Sequence, residues 1–285
     1  MTARPEAGAL GKGRLATSAP PSQYVDANGQ RLHVMRLGAR SPGRPKVVMI
    51  HGLVVDNLSS YYLTIANAVA LHAEVYLYDL RGHGLSSIPE SPYRVADHVA
   101  DLLALLEHWG IAEPAHFIGN SFGGLIALEL VRRQPERVGS LLLIEAHFPV
   151  EGWGEQMADT VGLAAYGLDT ESTRRWLADN AGRKLRRLAQ RANHLASSTS
   201  IIEDLVAEDP FPLAALAALR CPVTAVYGER SDIVERGRDL ERHIPGARLH
   251  LVPGGEHGLL HESASAVRDH AVDWVGRAVA ARPAA

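Results

Sequence analysis

The chain has 285 residues, of which 46% are hydrophobic and 21% charged, and its formal net charge is −3. That length can bury a sizeable core in one main domain with room for an insertion. The near-balanced charge removes any global electrostatic case for binding nucleic acid or an anionic membrane. The single cysteine, Cys221, excludes an intramolecular disulfide and, standing before Pro222 at the start of an apolar run, reads as a structural thiol.

Residues 1–22 mix Ala, Gly, Pro, Ser and basic residues without apolar periodicity, which reads as a flexible tail. They contain no apolar core of the kind a secretory signal needs, and no long uncharged apolar run occurs later, so a cytoplasmic protein without a membrane span is expected. From residue 23 onward short β-type runs alternate with helical patterns. Strands are predicted at 31–37, 46–50 and 74–78 and helices at 59–71 and across the segment containing Val95, Val99, Leu102, Leu103 and Leu106. A strand at 115–119, a helix at 122–133 and a strand at 139–145 follow. The alternation stops between His147 and Pro212, where Arg-rich amphipathic stretches stand instead, and resumes with strands at 222–227 and 248–252 and a last helix at 263–280. Such alternation requires crossover connections and hence a mostly parallel, doubly wound α/β sheet. The organisation expected is a core of 23–147 and 211–285 with a helical insertion at 148–210.

Within this frame, Gly119-Asn120-Ser121-Phe122-Gly123 is a G-x-S-x-G pattern lying between a predicted strand and a predicted helix. That context is the one a nucleophile elbow requires, a sharp turn that lifts a serine Oγ above the sheet edge. A serine hydroxyl is a weak nucleophile at neutral pH, so it needs a histidine base and a carboxylate to orient the base. Both follow at strand ends: Asp232 after PVTAVYG and His257 after RLHLVPGG. Glu145, at the end of GSLLLIE, is the rival acid. Groups at the carboxyl ends of parallel strands can converge although they are distant in sequence.

With His51-Gly52-Leu53 after KVVMI and Asp79-Leu80-Arg81-Gly82-His83-Gly84-Leu85-Ser86 after EVYLY, residues 23–285 resemble the α/β-hydrolase superfamily in its helically capped form. The resemblance implies Ser121 as nucleophile, His257 as base and Asp232 as acid, with the backbone N–H groups of Leu53 and Phe122 as oxyanion donors. It keeps Glu145 as the alternative acid, because a minority of the superfamily carries the carboxylate one strand after the nucleophile. His51 and the 79–86 loop are read as scaffold. Aspartate occupies the Ser121 position in the dehalogenases and epoxide hydrolases of the superfamily, which argues against those chemistries.

No cofactor or metal is implied: His257 and His261 lack an H-E-x-x-H context, and no phosphate-binding loop occurs. The expected activity is hydrolysis of a carboxylic ester or thioester through an acyl-enzyme, on a small-molecule acyl substrate. Arg183, Lys184, Arg186 and Arg187 form a solvated helix face or, alternatively, a landing site for coenzyme-A phosphates or an acidic carrier protein. Trp153, Tyr166 and Trp176 are candidates for an apolar acyl pocket or for packing. The same triad also serves carbon–carbon bond hydrolysis of ring-cleavage products, whose elbow GNSFGG resembles, or acyl transfer. Gly258-Leu259-Leu260 follows the histidine here where those carbon–carbon hydrolases carry a tryptophan. A non-catalytic ligand-binding protein of the same fold is the reading from another class.

Overall fold

The computed structural model describes residues 23–171, 175 and 183–280. Its centre is an eight-stranded sheet in the order β1-β2-β4-β3-β5-β6-β7-β8. The strands are β1 (Gln23–Ala27), β2 (Gln30–Leu37), β3 (Lys46–Ile50), β4 (Glu74–Tyr78), β5 (Ala115–Asn120), β6 (Val138–Ile144), β7 (Val223–Gly228) and β8 (Arg248–Val252). From β4 to β8 every pairing is parallel, whereas β1 with β2 and β2 with β4 are antiparallel. Every residue of β4 and β7 is buried, as strands covered on both faces require.

The β1–β2 hairpin turns on Asn28 and Gly29, with φ of 50° and 72°. An Asn-Gly pair with positive φ at both residues gives the tight turn whose twist suits adjoining strands. The helix expected over 59–71 is instead two short helices, Ser59–Tyr62 and Ala66–Val69. Two side chains explain the interruption. The Thr64 hydroxyl donates to the Ser60 carbonyl and the Asn67 amide to the Tyr62 carbonyl, in competition with the backbone ladder.

Strand alternation divides the core between the two faces. Val48 and Ile50 of β3 pack with the helices Val95–His108 and Phe122–Arg133 on one side. Val47 and Met49 pack with Tyr61, Ile65, Val267 and Trp274 on the other, under the C-terminal helix Ala264–Ala280. Between β6 and β7, which are neighbours in the sheet, the chain makes the helices Trp153–Asp169, Arg183–Ser198, Ile201–Val206 and Leu213–Ala217. The helices beginning at Trp153 and Ile201 meet closely, since a Cβ on Gly154 would lie 2.5 Å from the Leu205 carbonyl oxygen. Among the described residues no helix is long and apolar enough to cross a membrane.

One buried ion pair locks the 79–86 loop to this core. Arg81 donates from Nε and Nη2 to the two carboxylate oxygens of Asp101 at 2.7 and 2.6 Å, and from Nη1 to the Pro92 carbonyl at 2.7 Å. Both side chains are 2% exposed, so neither charge can turn to water if the other is removed. Asp101→Ala is therefore expected to lower unfolding free energy in urea by about 3–5 kcal/mol. A loss below about 1 kcal/mol would show that the pair is not sealed as described.

Candidate active site

Ser121 sits between β5 and the helix Phe122–Arg133 at φ 52° and ψ −118°. A non-glycine residue holds such a conformation only where its surroundings over-determine it. Here the Ser121 N–H donates to the Ile144 carbonyl at 2.9 Å, and the Ser121 carbonyl accepts from Gly124 N–H at 2.9 Å and His147 N–H at 3.2 Å. The flanking glycines allow backbones to touch: a Cβ on Gly123 would lie 2.0 Å from the Ile50 carbonyl oxygen, and one on Gly119 would lie 2.6 Å from that of Gly123.

The turn brings Ser121 Oγ to 3.3 Å from His257 Nε2. On the far side of the ring, His257 Nδ1 lies 3.3 Å from Glu145 Oε2. That separation is within ion-pair range, but the alignment is not that of a hydrogen bond, and Nδ1 has no hydrogen-bond partner among the described residues. Glu145 is completely buried, at the end of β6 with φ of 48°. Its Oε1 accepts from Gly228 N–H and its Oε2 from the Ser231 hydroxyl at 2.6 Å.

Asp232, the acid preferred from chain order, is exposed and has no hydrogen bond or ion pair among the described residues. The carboxylate beside His257 is Glu145. The reason lies in the turn after β7. Ser231 N–H bonds the Gly228 carbonyl at 3.2 Å, Ser231 and Ile233 are buried, and the residue between them is left facing solvent.

The backbone N–H groups of Leu53 and Phe122 have no acceptor among the described residues. The 51–57 loop is tied beside the elbow by Asp56, which accepts from Gly52 N–H at 2.7 Å and from the Asn120 amide at 3.3 Å. A Cβ on Gly52 would lie 3.4 Å from Ser121 Cβ, so this loop passes directly over the serine. His51 is buried, donates from Nδ1 to the Gly52 carbonyl at 2.7 Å and accepts from Leu80 N–H at Nε2 at 3.0 Å, a scaffold arrangement.

Sequence reasoning overlooked His147. Its ring centroid is 5.3 Å from that of His257, and its Nδ1 accepts from the Trp153 indole at 3.3 Å, which leaves the proton on Nε2. The only signal was a histidine two residues beyond Glu145 at a strand end. Burial, reinforced by His257 and Arg236, pushes its pKa down to about 3. Trp153, 1% exposed, is packing, whereas Tyr166 is 73% exposed and Trp176 lies outside the described residues. The side chains of Arg183 and Lys184 also lie outside them; Arg186 is half-buried and Arg187 exposed. Burial raises the Cys221 thiol to about 11, which disfavours thiolate chemistry there. Among the described residues no group of three or more side chains is arranged to hold a metal ion.

Residues 45–264 match the family model described as the alpha/beta hydrolase fold. The chain belongs to the α/β-hydrolase family. It is 31% identical over 236 residues to the pimeloyl-[acyl-carrier protein] methyl ester esterase of Chromobacterium violaceum, covering 76% of this chain and 90% of that one. Among solved structures, the enol-lactonase of Burkholderia xenovorans LB400 superposes with a TM-score of 0.69 at 24% identity, over 89% of this chain and 100% of that one. A thermophilic esterase from Thermogutta terrifontis superposes with a TM-score of 0.69 at 20% identity, over 90% and 99%. At these identities the two structures establish the fold alone. Family membership makes this α/β hydrolase an enzyme of that class.

The buried imidazoles give the hydrolase a pH-dependent stability. Burial, then the neighbouring His51, lowers His83 from its ordinary 6.5 to about 4, and His147 falls to about 3. Between those values and 6.5 the unfolded chain binds protons that the native chain refuses, so stability is lost as pH falls through that window. Each histidine contributes a slope of up to about 1.4 kcal/mol per pH unit. Denaturant titrations at intervals between neutral and acidic pH should show this decline, and His147→Phe should make it shallower. An identical slope in the variant would contradict a neutral buried His147.

Proposed function

We propose that the enzyme is a serine hydrolase that cleaves a carboxylic ester or thioester through an acyl-enzyme. The observation that carries this reading is the contiguous line from Ser121 Oγ through the His257 ring to Glu145, with 3.3 Å at each step. His257 Nε2 takes the Ser121 proton as Oγ attacks the acyl carbon, and the charge developing on the carbonyl oxygen falls to the Leu53 and Phe122 N–H groups. The imidazolium returns that proton to the leaving alcohol or thiol. In the second half, water gives a proton to His257 and hydroxide adds to the acyl carbon; collapse then releases the acid and restores Ser121.

In this scheme Glu145 holds the imidazole with its proton on Nδ1 and stabilises the imidazolium, the role for which the sequence had favoured Asp232. No cofactor is required. Similarity to a methyl ester esterase supports an ester over a carbon–carbon bond as the scissile group, and makes a methyl ester of a carrier-protein-borne acyl chain the first substrate to assay.

A fluorophosphonate probe should label Ser121, with labelling abolished in Ser121→Ala and sharply reduced in His257→Ala. For the acid, Glu145→Gln should lower kcat/KM on an activated ester by about 10³–10⁴-fold. Asp232→Asn, at an exposed site, should alter it by less than about threefold. The reverse pattern would return the role to Asp232. A folded protein that neither labels nor turns over an activated ester would rule out the enzyme mechanism itself.

A further inference from the structure

A cavity of about 500 Å³ lies between the inserted helix Arg183–Ser198 and the core, away from the triad: Ser121, Glu145 and His257 are not among its lining residues. Its size falls within the range of small-ligand sites, about 300–1,000 Å³. Part of the wall is apolar, from Met35, Leu58, Leu85 and Leu188, and the cationic part is Arg187 and Arg191.

The positive charge in this cavity is only partly compensated. Arg132 and Arg133 on the core pair with Glu129, but Arg187 and Arg191 have no ion-pair partner among the described residues. Arg191 Nη2 donates to the Ser86 carbonyl at 2.5 Å, which fixes the side chain, while its Nε is buried without a hydrogen-bond partner. Asp79 also lines the cavity, yet its oxygens are already used by the N–H groups of Leu58 and Leu85, at 2.8 Å each, and by His33 at 2.7 Å. Burial opposes the Asp79 charge, but these bonds and nearby His51 outweigh it and hold the carboxyl below its ordinary value. With two guanidinium groups set against one carboxylate, the lining keeps an excess of positive charge. Burial, with the Arg187 charge, also lowers the Arg191 guanidinium from its usual value despite Asp79. An incoming anion would relieve that condition.

We propose that this cavity is a binding site for a small amphipathic anion, distinct from the catalytic centre. A carboxylate or phosphate head sits on Arg187 and Arg191, and an alkyl chain lies against Met35, Leu58, Leu85 and Leu188. Guanidinium suits either head because its planar donors match both oxyanions. The site bridges the insertion and the 79–86 loop, so its ligand fastens one to the other. The proposal does not depend on the identity of the nucleophile.

The test is calorimetric titration of the full chain carrying Ser121→Ala with octanoate, octyl phosphate and octanol. Saturable binding of at least one of the two anions, without matching binding of octanol, is expected, and the preferred anion identifies the head group. Arg187→Gln and Arg191→Gln should each weaken that binding by about tenfold or more. Arg191 also anchors the insertion, so the exposed Arg187 provides the variant whose folding is not in question. Three results would overturn the site: no saturable binding of either anion up to about 10 mM, equal binding of octanol, or affinity unchanged in Arg187→Gln.

Discussion

The contact on which the site depends is between backbone and backbone. Gly123 meets the end of β3 so closely that a Cβ would lie 2.0 Å from the Ile50 carbonyl oxygen. This approach lets the helix Phe122–Arg133 begin immediately above the sheet, and it forces Ser121 to the φ of 52° that turns its side chain away from the strand. Strain of this kind costs on the order of 1–3 kcal/mol and survives only when packing elsewhere compensates. Both faces of the sheet are heavily packed beneath the elbow, with Phe117, Ile118, Leu125 and Ile126 essentially inaccessible. The small residues around Ser121 thus serve the turn first, and the place of the hydroxyl beside His257 follows from where the turn leaves it.

A second strained residue answers the first across the neighbouring strand. Glu145 follows β6 at φ 48°, and β5 and β6 run in parallel register through Asn120 and Ile144. Two adjacent strands therefore end in residues of positive φ, and the His257 ring lies between their side chains. Complete burial would make an isolated carboxylate prohibitive. Gly228 N–H and the Ser231 hydroxyl supply donors, so the β7 loop contributes to the site by supporting the Glu145 carboxylate. In the proposed mechanism that low-dielectric setting lets the Glu145 carboxylate act more strongly on the His257 imidazolium than the exposed Asp232 would through water.

This distinction sets the limit of what could be read from the chain alone. The strands from β3 to β8 announced themselves as short apolar runs, and the elbow by its place between strand and helix. Which loops reach the site follows from strand order, so the loops carrying Asp232, Glu145 and His257 were all legible. Which side chain of a loop points inward is not. It depends on the bend that buries Ser231 and Ile233, a matter of local hydrogen bonding with no signature in residue type. The Asn28-Gly29 hairpin was readable and overlooked. The break between Ser59–Tyr62 and Ala66–Val69 was less so, because Thr and Asn are tolerated within helices when their side chains bond elsewhere.

The 79–86 loop shows how residues away from Ser121 and His257 can still determine the geometry around them. Arg81 is held by Asp101, and its carbonyl accepts from His83 Nδ1 at 2.8 Å, which leaves Nε2 to accept from Val54 N–H at 2.9 Å. Val54 adjoins Leu53, one of the two proposed oxyanion donors, and Asp79 accepts from Leu58 N–H just beyond. The same loop offers the Ser86 carbonyl to Arg191 of the insertion. A neutral His83 is essential to this relay, because protonation at Nε2 would replace its acceptor with a donor facing the Val54 N–H. The depression of its pKa to about 4 by burial therefore keeps the 51–57 loop in register with Ser121 throughout the neutral range.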